Sequence, residues 1–197
     1  MESYLVFDFE TSGLNPQSDR IIQVGFCQVE DGQVIGQGGW LINQAVRMCR
    51  EAIALHGITP EKLREQGIDP RDSLTRFLEM IGNAPACIGH NIHMFDVLFL
   101  NAEAKRLGLA MPSTHDFADT AALFKGWKMG VSKSSRESHR DYAQRVLSMR
   151  VPGLKYAIPA CVKSLGIKAD MSGAHVACHD AYLTHLIYQR LQRLVSG

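Results

Sequence analysis

Two acidic residues lie at the end of a strongly apolar segment, and they limit what this chain can fold into. Residues 4–9 read Tyr-Leu-Val-Phe-Asp-Phe and predict a buried β-strand, and Glu10 follows directly. Because side chains alternate along a strand, Asp8 and Glu10 point to one face, whereas Phe7 and Phe9 point to the other face and into the core. The fold must therefore place two neighbouring carboxylates on one face of a sheet.

Two further strand-like segments follow, separated from each other and from the first by polar turns. Residues 11–16 predict the first turn, and residues 21–29 and 33–42 predict the second and third strands. Three consecutive strands with short connections indicate an antiparallel start to a sheet. Residues 86–89 are short and apolar, which is typical of one more buried strand.

The rest of the chain has mainly helical spacing of its apolar residues. The predicted helices begin at Pro60 and span residues 72–81, 91–107 with Asn91 as the N-cap, 117–124, 154–165 and 178–194. Strands first, then helices alternating with one or two strands, predict an α/β fold with a central mixed β-sheet flanked by α-helices. We expect one domain over residues 1–197, interrupted by an insertion at about 125–150.

Length and composition exclude several classes of protein. A chain of 197 residues, 46% hydrophobic, suits one globular domain with a substantial core. No apolar run approaches the roughly 18 residues that span a bilayer, and the N-terminus lacks the features of a signal peptide. We therefore expect an intracellular, cytoplasmic protein without a membrane partner. The five cysteines form no C-x-x-C pair, which argues against a disulfide framework and a zinc ribbon.

The Asp8–Glu10 pair has a chemical consequence. Two adjacent carboxylates repel each other, and burying them without a counter-charge is costly. A divalent cation removes that cost, and hard oxygen ligands suit Mg²⁺ or Mn²⁺. Taken alone, the pair is equally compatible with an edge strand that faces solvent.

Three later residues add to this pattern. Asp96 is flanked by apolar residues in the first turns of a predicted helix, where the helix N-terminus favours the ionised carboxylate. Asp180 falls in the first turn of the last predicted helix, and His175 precedes it on a loop. His179 and Asp180 are adjacent, so only one of them can face a common site. Each residue alone is also compatible with a purely structural role.

Taken together, these residues resemble the three motifs of the DEDDh (DnaQ-like) 3′–5′ exonucleases. That superfamily includes the proofreading subunit of bacterial replicative polymerases and ribonuclease T. The first motif corresponds to residues 6–14, the second to residues 89–96, and the third to His175 through Asp180 with its H-x4-D spacing. Further similar segments are residues 55–59, 119–120 and 153–167. The resemblance covers nearly the whole chain except residues 125–150.

The resemblance implies a ribonuclease-H-like fold and release of nucleoside 5′-monophosphates from the 3′ end of DNA or RNA. It also implies two bound Mg²⁺ ions, for which Mn²⁺ can substitute, and His175 as the general base. The implied metal ligands are Asp8, Glu10, Asp96 and Asp180. Two ions roughly 4 Å apart stabilise both the attacking and the leaving oxygen, and a histidine with a near-neutral pKa can deprotonate the attacking water.

The turn after Glu10 is the expected site of the 3′-terminal nucleotide. Thr11, Ser12 and Gly13 offer backbone N–H groups and small side chains for such a contact. Leu14 is suited to wedge against the terminal base. We call these residues the 11–14 turn. Asn91 and Phe95 are further candidate substrate contacts, although base stacking and core packing are both open for Phe95. The expected partner is single-stranded or 3′-ended nucleic acid.

The segment 125–150, here the basic segment, carries seven basic and two acidic residues, a local charge of +5. Its basic residues are Lys125, Lys128, Lys133, Arg136, Arg140, Arg145 and Arg150. It is either a solvated surface loop and helix or an arm that binds substrate phosphates. Trp127 within it fits base stacking or a protein-docking surface equally well.

Other functions stay open on the sequence alone. The same fold can form a nucleic-acid-binding or regulatory module that has lost catalysis, because a fold does not prove an activity. The chain is also compatible with an RNA-trimming exoribonuclease, or with a metal-dependent phosphoesterase that acts on small nucleotides.

Overall fold

A five-stranded mixed sheet forms the centre of the protein, in the strand order β3-β2-β1-β4-β5. The computed structural model describes residues 3–112, 116–173 and 176–195. The strands are β1 (Tyr4–Thr11), β2 (Ile21–Glu30), β3 (Gln33–Leu41), β4 (Cys87–Gly89) and β5 (Ala118–Asp119). The pairs β1–β2 and β2–β3 are antiparallel, whereas β1–β4 and β4–β5 are parallel. The prediction of a mixed sheet that begins antiparallel is confirmed.

Helices cover both faces of this sheet. They are α1 (Arg50–His56), α2 (Pro60–Gln66), α3 (Pro70–Asn83), α4 (Asp96–Leu107), α5 (Thr120–Met129), α6 (His139–Ser148), α7 (Ile158–Ser164) and α8 (Ala177–Val195). Thr59 and Asp69 accept hydrogen bonds from first-turn N–H groups of α2 and α3, which explains why those helices begin where they do. Among the helices in the described ranges, none combines the length and the apolarity that crossing a membrane requires.

One face of β1 packs against α3 and α4. The rings of Phe7 and Phe9 meet Phe77 of α3 edge-on, with centroid distances of 5.0 and 5.1 Å. Phe99 of α4 belongs to the same buried cluster. The predicted inward orientation of Phe7 and Phe9 is confirmed, and these contacts anchor β1 in the core.

The opposite face of β1 packs against α8. Tyr4 and Val6 share a buried cluster with Ala181, a residue of the first turns of α8. Asp8 and Glu10 continue this alternation along β1, so they lie on the α8 side of the sheet. The fold therefore brings the acidic end of β1 next to the start of α8.

The predicted N-cap at Asn91 is wrong. Helix α4 begins at Asp96, and its N-cap is Phe95, whose side chain makes no capping hydrogen bond. Asn91 has a positive φ of 57° and lies in the turn between β4 and α4. Its backbone N–H donates to the Asp119 carboxylate at 2.9 Å, so a distant residue holds the turn that a local cap was predicted to form.

Two more boundaries differ from the prediction. The predicted helix over 117–124 is wrong at its start, because Ala118–Asp119 pairs with β4 and the helix begins at Thr120. The predicted helix over 154–165 is shorter, covering only Ile158–Ser164. Helix α1 was not predicted; its N-cap is Cys49, a weak acceptor that gives no recognisable capping signal.

The basic segment is a helix–loop–helix rather than an extended arm. It comprises the end of α5, a loop and α6, and α6 packs on α5 and β5. Lys125 is buried, and its Nζ donates to the Leu147 carbonyl at 3.0 Å and to the Met149 carbonyl. Arg145 forms an ion pair with Glu137 at 2.7 Å. Part of the basic charge counted in the sequence therefore stabilises the segment itself.

Candidate metal centre

Three acidic side chains converge where β1 ends and α8 begins. Asp8, Glu10 and Asp180 each offer a carboxylate oxygen, and these oxygens all lie within 4.8 Å of one another. Glu10 is 8% exposed and Asp180 is 9% exposed. The structure therefore brings together three of the four carboxylates selected from the sequence.

Asp96 borders this cluster. It is the first residue of α4 and is only 3% exposed. Its Oδ1 accepts a hydrogen bond from the Phe9 backbone N–H at 3.1 Å. Its oxygens do not belong to the group of carboxylate oxygens within 4.8 Å of one another that Asp8, Glu10 and Asp180 form. Its negative charge nevertheless raises the pKa values of both Asp8 and Glu10.

Burial and mutual repulsion both disfavour ionisation of this cluster. Burial raises the pKa of Asp8 well above its ordinary value, and the charges of Asp96, Glu10 and Asp180 raise it further. Burial raises the pKa of Glu10 to about 8, with Asp180 and Asp96 adding to the shift. Burial likewise raises the pKa of Asp96 to about 7, despite the hydrogen bond from Phe9. A positive charge at this position would reverse the effect.

The donor set fits a hard divalent cation. All of the clustered ligand atoms are carboxylate oxygens, which Mg²⁺ and Mn²⁺ prefer, and no thiol or imidazole of a described residue joins the group. A cation would offset the repulsion that raises the pKa values of Asp8 and Glu10.

Gly25 allows the carboxylates of β1 to approach the carboxylate of α8. It pairs directly with Asp8 across β1 and β2, so both residues face α8. A Cβ atom at Gly25 would overlap the backbone of Ala177 and Cys178 at the start of α8. The missing side chain therefore lets Asp180 approach Asp8.

Replacing Gly25 with alanine is expected to lower the metal-dependent activity implied by the sequence at least about 10-fold and to raise the Mg²⁺ concentration required for it, because α8 must move away from β1. The measurement is a Mg²⁺ titration of the initial rate. Gly82→Ala is the matched control, since an added Cβ there meets nothing within 4 Å. Wild-type rates for Gly25→Ala at limiting Mg²⁺ would contradict this role.

The 11–14 turn is organised from within. The Thr11 hydroxyl donates to the Gly13 carbonyl at 2.7 Å, and the Ser12 hydroxyl contacts the Asp19 carboxylate at 3.2 Å. Thr11 and Ser12 are buried, whereas the Leu14 side chain is 83% exposed. Among the side chains of this turn, Leu14 is thus the one that the structure leaves available to a ligand.

Phe95 and His179 are both held by contacts within the protein. The Phe95 ring lies 4.9 Å from the Phe99 ring, tilted by 45° against it, and packs against the core, which favours a structural role. His179 directs Nε2 to the Asp170 backbone carbonyl at 2.9 Å. His175, the predicted general base, lies outside the described residues.

Two residues near the cluster, one buried and one partly buried, were not assigned a role from the sequence. Asp119 is 2% exposed, caps α5 and holds the Asn91 N–H. His90 contacts the Thr120 hydroxyl at 2.8 Å, and its Nε2 donates to the Tyr156 carbonyl at 2.7 Å. Burial lowers the pKa of His90, which favours the neutral ring. The sequence signal that could have identified Asp119 is an acidic residue between the apolar pair Phe117-Ala118 and the start of α5.

Comparison with known proteins identifies the family. The model of the exonuclease family RNase_T matches residues 5–188. This chain belongs to the exonuclease family. The match covers most of the chain and includes every motif used above. The prediction of a DnaQ-like 3′–5′ exonuclease is thereby confirmed at the level of family and enzyme class.

The curated relatives are much longer proteins. A PolC-type DNA polymerase III of Staphylococcus haemolyticus is 35% identical over 189 residues, which is 96% of this chain and 11% of that protein. The PolC-type enzyme of Thermotoga petrophila is 28% identical over 194 residues, covering 98% and 12% respectively. This chain thus spans about one-ninth of the length of these relatives.

Solved structures share the fold. Zinc-bound E. coli exonuclease I in complex with single-stranded DNA superposes with a TM-score of 0.76 at 21% identity, covering 98% of this chain and 41% of that chain. The same enzyme with a dA16 oligonucleotide gives a TM-score of 0.74 at 20% identity, covering 98% and 41%. The predicted ribonuclease-H-like architecture is confirmed.

Proposed function

We propose that this exonuclease hydrolyses the 3′-terminal phosphodiester of single-stranded DNA and releases nucleoside 5′-monophosphates. The carboxylate cluster of Asp8, Glu10 and Asp180, bordered by Asp96, is the observation that carries the proposal. Buried acids that repel one another at the end of a strand are suited to cation binding and costly otherwise. A silent binding module on the same fold would have no need to retain them.

The four carboxylates Asp8, Glu10, Asp96 and Asp180 would hold two Mg²⁺ ions. Bound there, the ions would supply charge stabilisation for the phosphoryl oxygens and a more acidic water. His175 takes a proton from the attacking water as the new P–O bond forms. The bond from phosphorus to the 3′ oxygen of the preceding nucleoside breaks, and that oxygen leaves and is protonated.

The 11–14 turn would hold the nucleotide that is released. Leu14 is exposed and apolar and follows Glu10 by four residues, so we propose that it presses against the terminal base. Asn91, in the turn between β4 and α4, is the second candidate contact. Phe95 packs on Phe99 at the start of α4, and its partly buried ring is a further candidate contact with the substrate.

DNA is proposed as the substrate because the relatives are DNA polymerases and the solved neighbours are complexes with single-stranded DNA. Discrimination against RNA rests on contacts at the 2′ position. An exoribonuclease is the competing outcome of the test that follows.

The test compares 5′-labelled single-stranded DNA, 3′-overhang DNA, blunt duplex DNA and short RNA, each with and without Mg²⁺. We expect a ladder that shortens from the 3′ end, fastest on single-stranded DNA, supported by Mn²⁺ and stopped by EDTA. Faster degradation of RNA would reassign the substrate. Activity confined to mononucleotide esters would instead indicate a small-nucleotide phosphoesterase.

The basic segment is proposed to contact substrate phosphates upstream of the scissile bond. Lys128, Arg136 and Arg140 are exposed, whereas the Lys133 ammonium donates to the Glu137 carbonyl at 2.7 Å. The Lys128 ammonium lies 4.6 Å from the centre of the Trp127 ring, which is itself partly buried against Phe124. The three exposed basic side chains are therefore the ones available to phosphates. Trp127 is already in contact with Phe124 and Lys128.

Neutralising Lys128, Arg136 and Arg140 together is expected to weaken DNA binding and to flatten its salt dependence, because phosphate contacts release counterions. Binding is measured at several salt concentrations in an Asp8→Asn background. The control variant neutralises three exposed basic residues outside the basic segment, namely Lys105, Lys163 and Arg193. An unchanged slope would leave the segment as a protein-docking or structural element.

A further inference from the structure

An ion pair on α4 has no role in the mechanism above. The Glu103 carboxylate, in a residue that is 3% exposed, lies 3.0 Å from the Arg106 guanidinium one helical turn further along. We propose that Glu103 and Arg106 are positioning residues that hold the 11–14 turn beside the metal centre. The inference rests on the exonuclease function proposed above, because it assigns both residues to the placement of the terminal nucleotide.

Helix α4 meets the backbone of the sheet at two points. At its first residue, Asp96 accepts a hydrogen bond from the Phe9 N–H of β1 at 3.1 Å. Further along, the Glu103 Oε1 accepts a hydrogen bond from the Ile21 N–H of β2 at 3.3 Å. Asp96 and Glu103 are separated by about two helical turns, so both carboxylates lie on the same face of α4. The helix is therefore held in register with both strands that border the 11–14 turn.

The second of these points lies at an irregularity of the sheet. Glu10 pairs with Gln23, whereas Thr11 pairs with Ile21, so β2 has one extra residue at this position. A bulge of this kind leaves backbone groups outside the regular strand pairing and bends the strand. The Glu103 carboxylate accepts the Ile21 N–H there, beside the point where β1 passes from the metal centre into the turn.

Arg106 extends this contact to the loop that joins the 11–14 turn to β2. Its Nη1 lies 3.0 Å from the Glu103 Oε1, and its Nη2 donates to the Pro16 carbonyl. A planar guanidinium holds two acceptors in a fixed arrangement, which a lysine ammonium does not. A buried ion pair contributes little net stability, because desolvation offsets the attraction. The main effect of this pair is therefore to fix the position of the loop.

The loop forms one unit with the turn that precedes it. The Asp19 carboxylate accepts hydrogen bonds from the Asn15 N–H at 2.9 Å and from the Ser12 hydroxyl at 3.2 Å. It also lies against Gly13, where an added Cβ would be 2.6 Å from the carboxylate atoms. Because these contacts join the loop to the turn, holding Pro16 also holds the turn.

Two conservative variants break the link at different points. Glu103→Gln keeps an oxygen for the Ile21 N–H but loses the charge that binds Arg106. Arg106→Lys keeps a charge for Glu103 but loses the planar group that also reaches Pro16. Each variant should lower kcat/KM for single-stranded DNA about 10-fold, mainly through a higher KM, because the terminal nucleotide is held less well.

A second substrate locates the effect. The p-nitrophenyl ester of thymidine 5′-monophosphate contains only the terminal nucleotide, so kcat/KM should fall by the same factor on it. The Mg²⁺ concentration that gives half the maximal rate should stay near the wild-type value, because Asp96 keeps its own bond to Phe9.

Arg71→Lys is the matched control. Arg71 also donates to a backbone carbonyl, that of Leu107, but this contact links the end of α4 to α3. The control should leave kcat/KM unchanged on both substrates.

A loss of stability alone would give a different result. A smaller folded fraction lowers the apparent kcat and leaves KM unchanged. Wild-type KM values on both substrates in Glu103→Gln and Arg106→Lys would therefore overturn the proposal.

Amide hydrogen exchange gives a readout that does not depend on catalysis. The amides of residues 12–21 should exchange faster in both variants than in the wild type, whereas those of α4 should not. Unchanged exchange in residues 12–21 would also overturn the proposal. A wild-type enzyme that cleaves neither substrate would instead refute the exonuclease function, and the exchange result would still decide whether the ion pair holds the turn.

Discussion

Asp8→Asn is expected to abolish turnover while the fold stays intact, and Asp180→Asn should do the same. Both residues belong to the cluster of carboxylate oxygens within 4.8 Å of one another, and an amide is a weak ligand for a hard cation. We expect kcat to fall by at least about 10³-fold, on the scale of losing the main electrostatic stabilisation of a transition state. The measurement is single-turnover hydrolysis in saturating Mg²⁺, with exposed Asp72→Asn as the control.

Thermal stability gives a second readout of the same change. Burial and neighbouring charges raise the pKa of Asp8 well above its usual value and that of Glu10 to about 8. Raised values mean that protonation stabilises the metal-free fold at low pH, and that this contribution is lost as the pH rises toward 8. In EDTA, the Tm of Asp8→Asn should therefore exceed that of the wild type, by more at pH 8 than at pH 5.

Added Mg²⁺ should reverse this order, because a ligand that binds only the folded state stabilises it. The wild type is expected to gain Tm with Mg²⁺, and Asp8→Asn is expected to gain much less. Full hydrolysis by the wild type in EDTA, or no response of its Tm to Mg²⁺, would exclude the proposed metal centre.

His175→Ala is expected to lower kcat by about 10²-fold or more, the usual cost of losing a general base. KM should change little, because the carboxylates and the 11–14 turn are unaltered. The measurement is kcat on a short single-stranded oligonucleotide across pH. The loss should be largest where the wild-type histidine is neutral and able to accept a proton.

His179→Ala is the matched control four residues further along. Its ring nitrogen contacts the Asp170 carbonyl at 2.9 Å, which assigns it to the loop that precedes α8. We expect a minor loss of stability and less than about a fivefold loss of kcat, because one hydrogen bond on the surface contributes little. A larger loss for His179→Ala than for His175→Ala would place the third motif out of register.

Local patterns were enough to predict some elements and not others. The alternation of residues 4–10 predicted both faces of β1, because burial on a strand follows a two-residue period. The N-cap at Asn91 was wrong because the Asp119 carboxylate, 28 residues away, holds that turn. Strand β5 has only two residues and pairs with β4, so no periodic signal existed for it.

The surface properties of the basic segment also depended on packing. Lys125 reads as an exposed charge in the sequence, yet it is buried beneath the end of α6 with its ammonium on backbone carbonyls. Arg145 is held differently, by an ion pair with the Glu137 carboxylate. Composition counts charges, whereas only tertiary contacts decide which of them remain available to a ligand.

The sequence by itself determined the residue types of the metal centre, their order along the chain and the strand that carries two of them. Motif spacing is a local property, and the period of β1 alone directs Asp8 and Glu10 to one face. The tertiary structure decided their proximity to Asp180, because that depends on α8 crossing β2 at Gly25, where a side chain would keep the two apart. It also joined the end of β4 to the start of α7 through the His90 contact with the Tyr156 carbonyl, since these segments are distant in sequence and meet only when the sheet and its covering helices pack together.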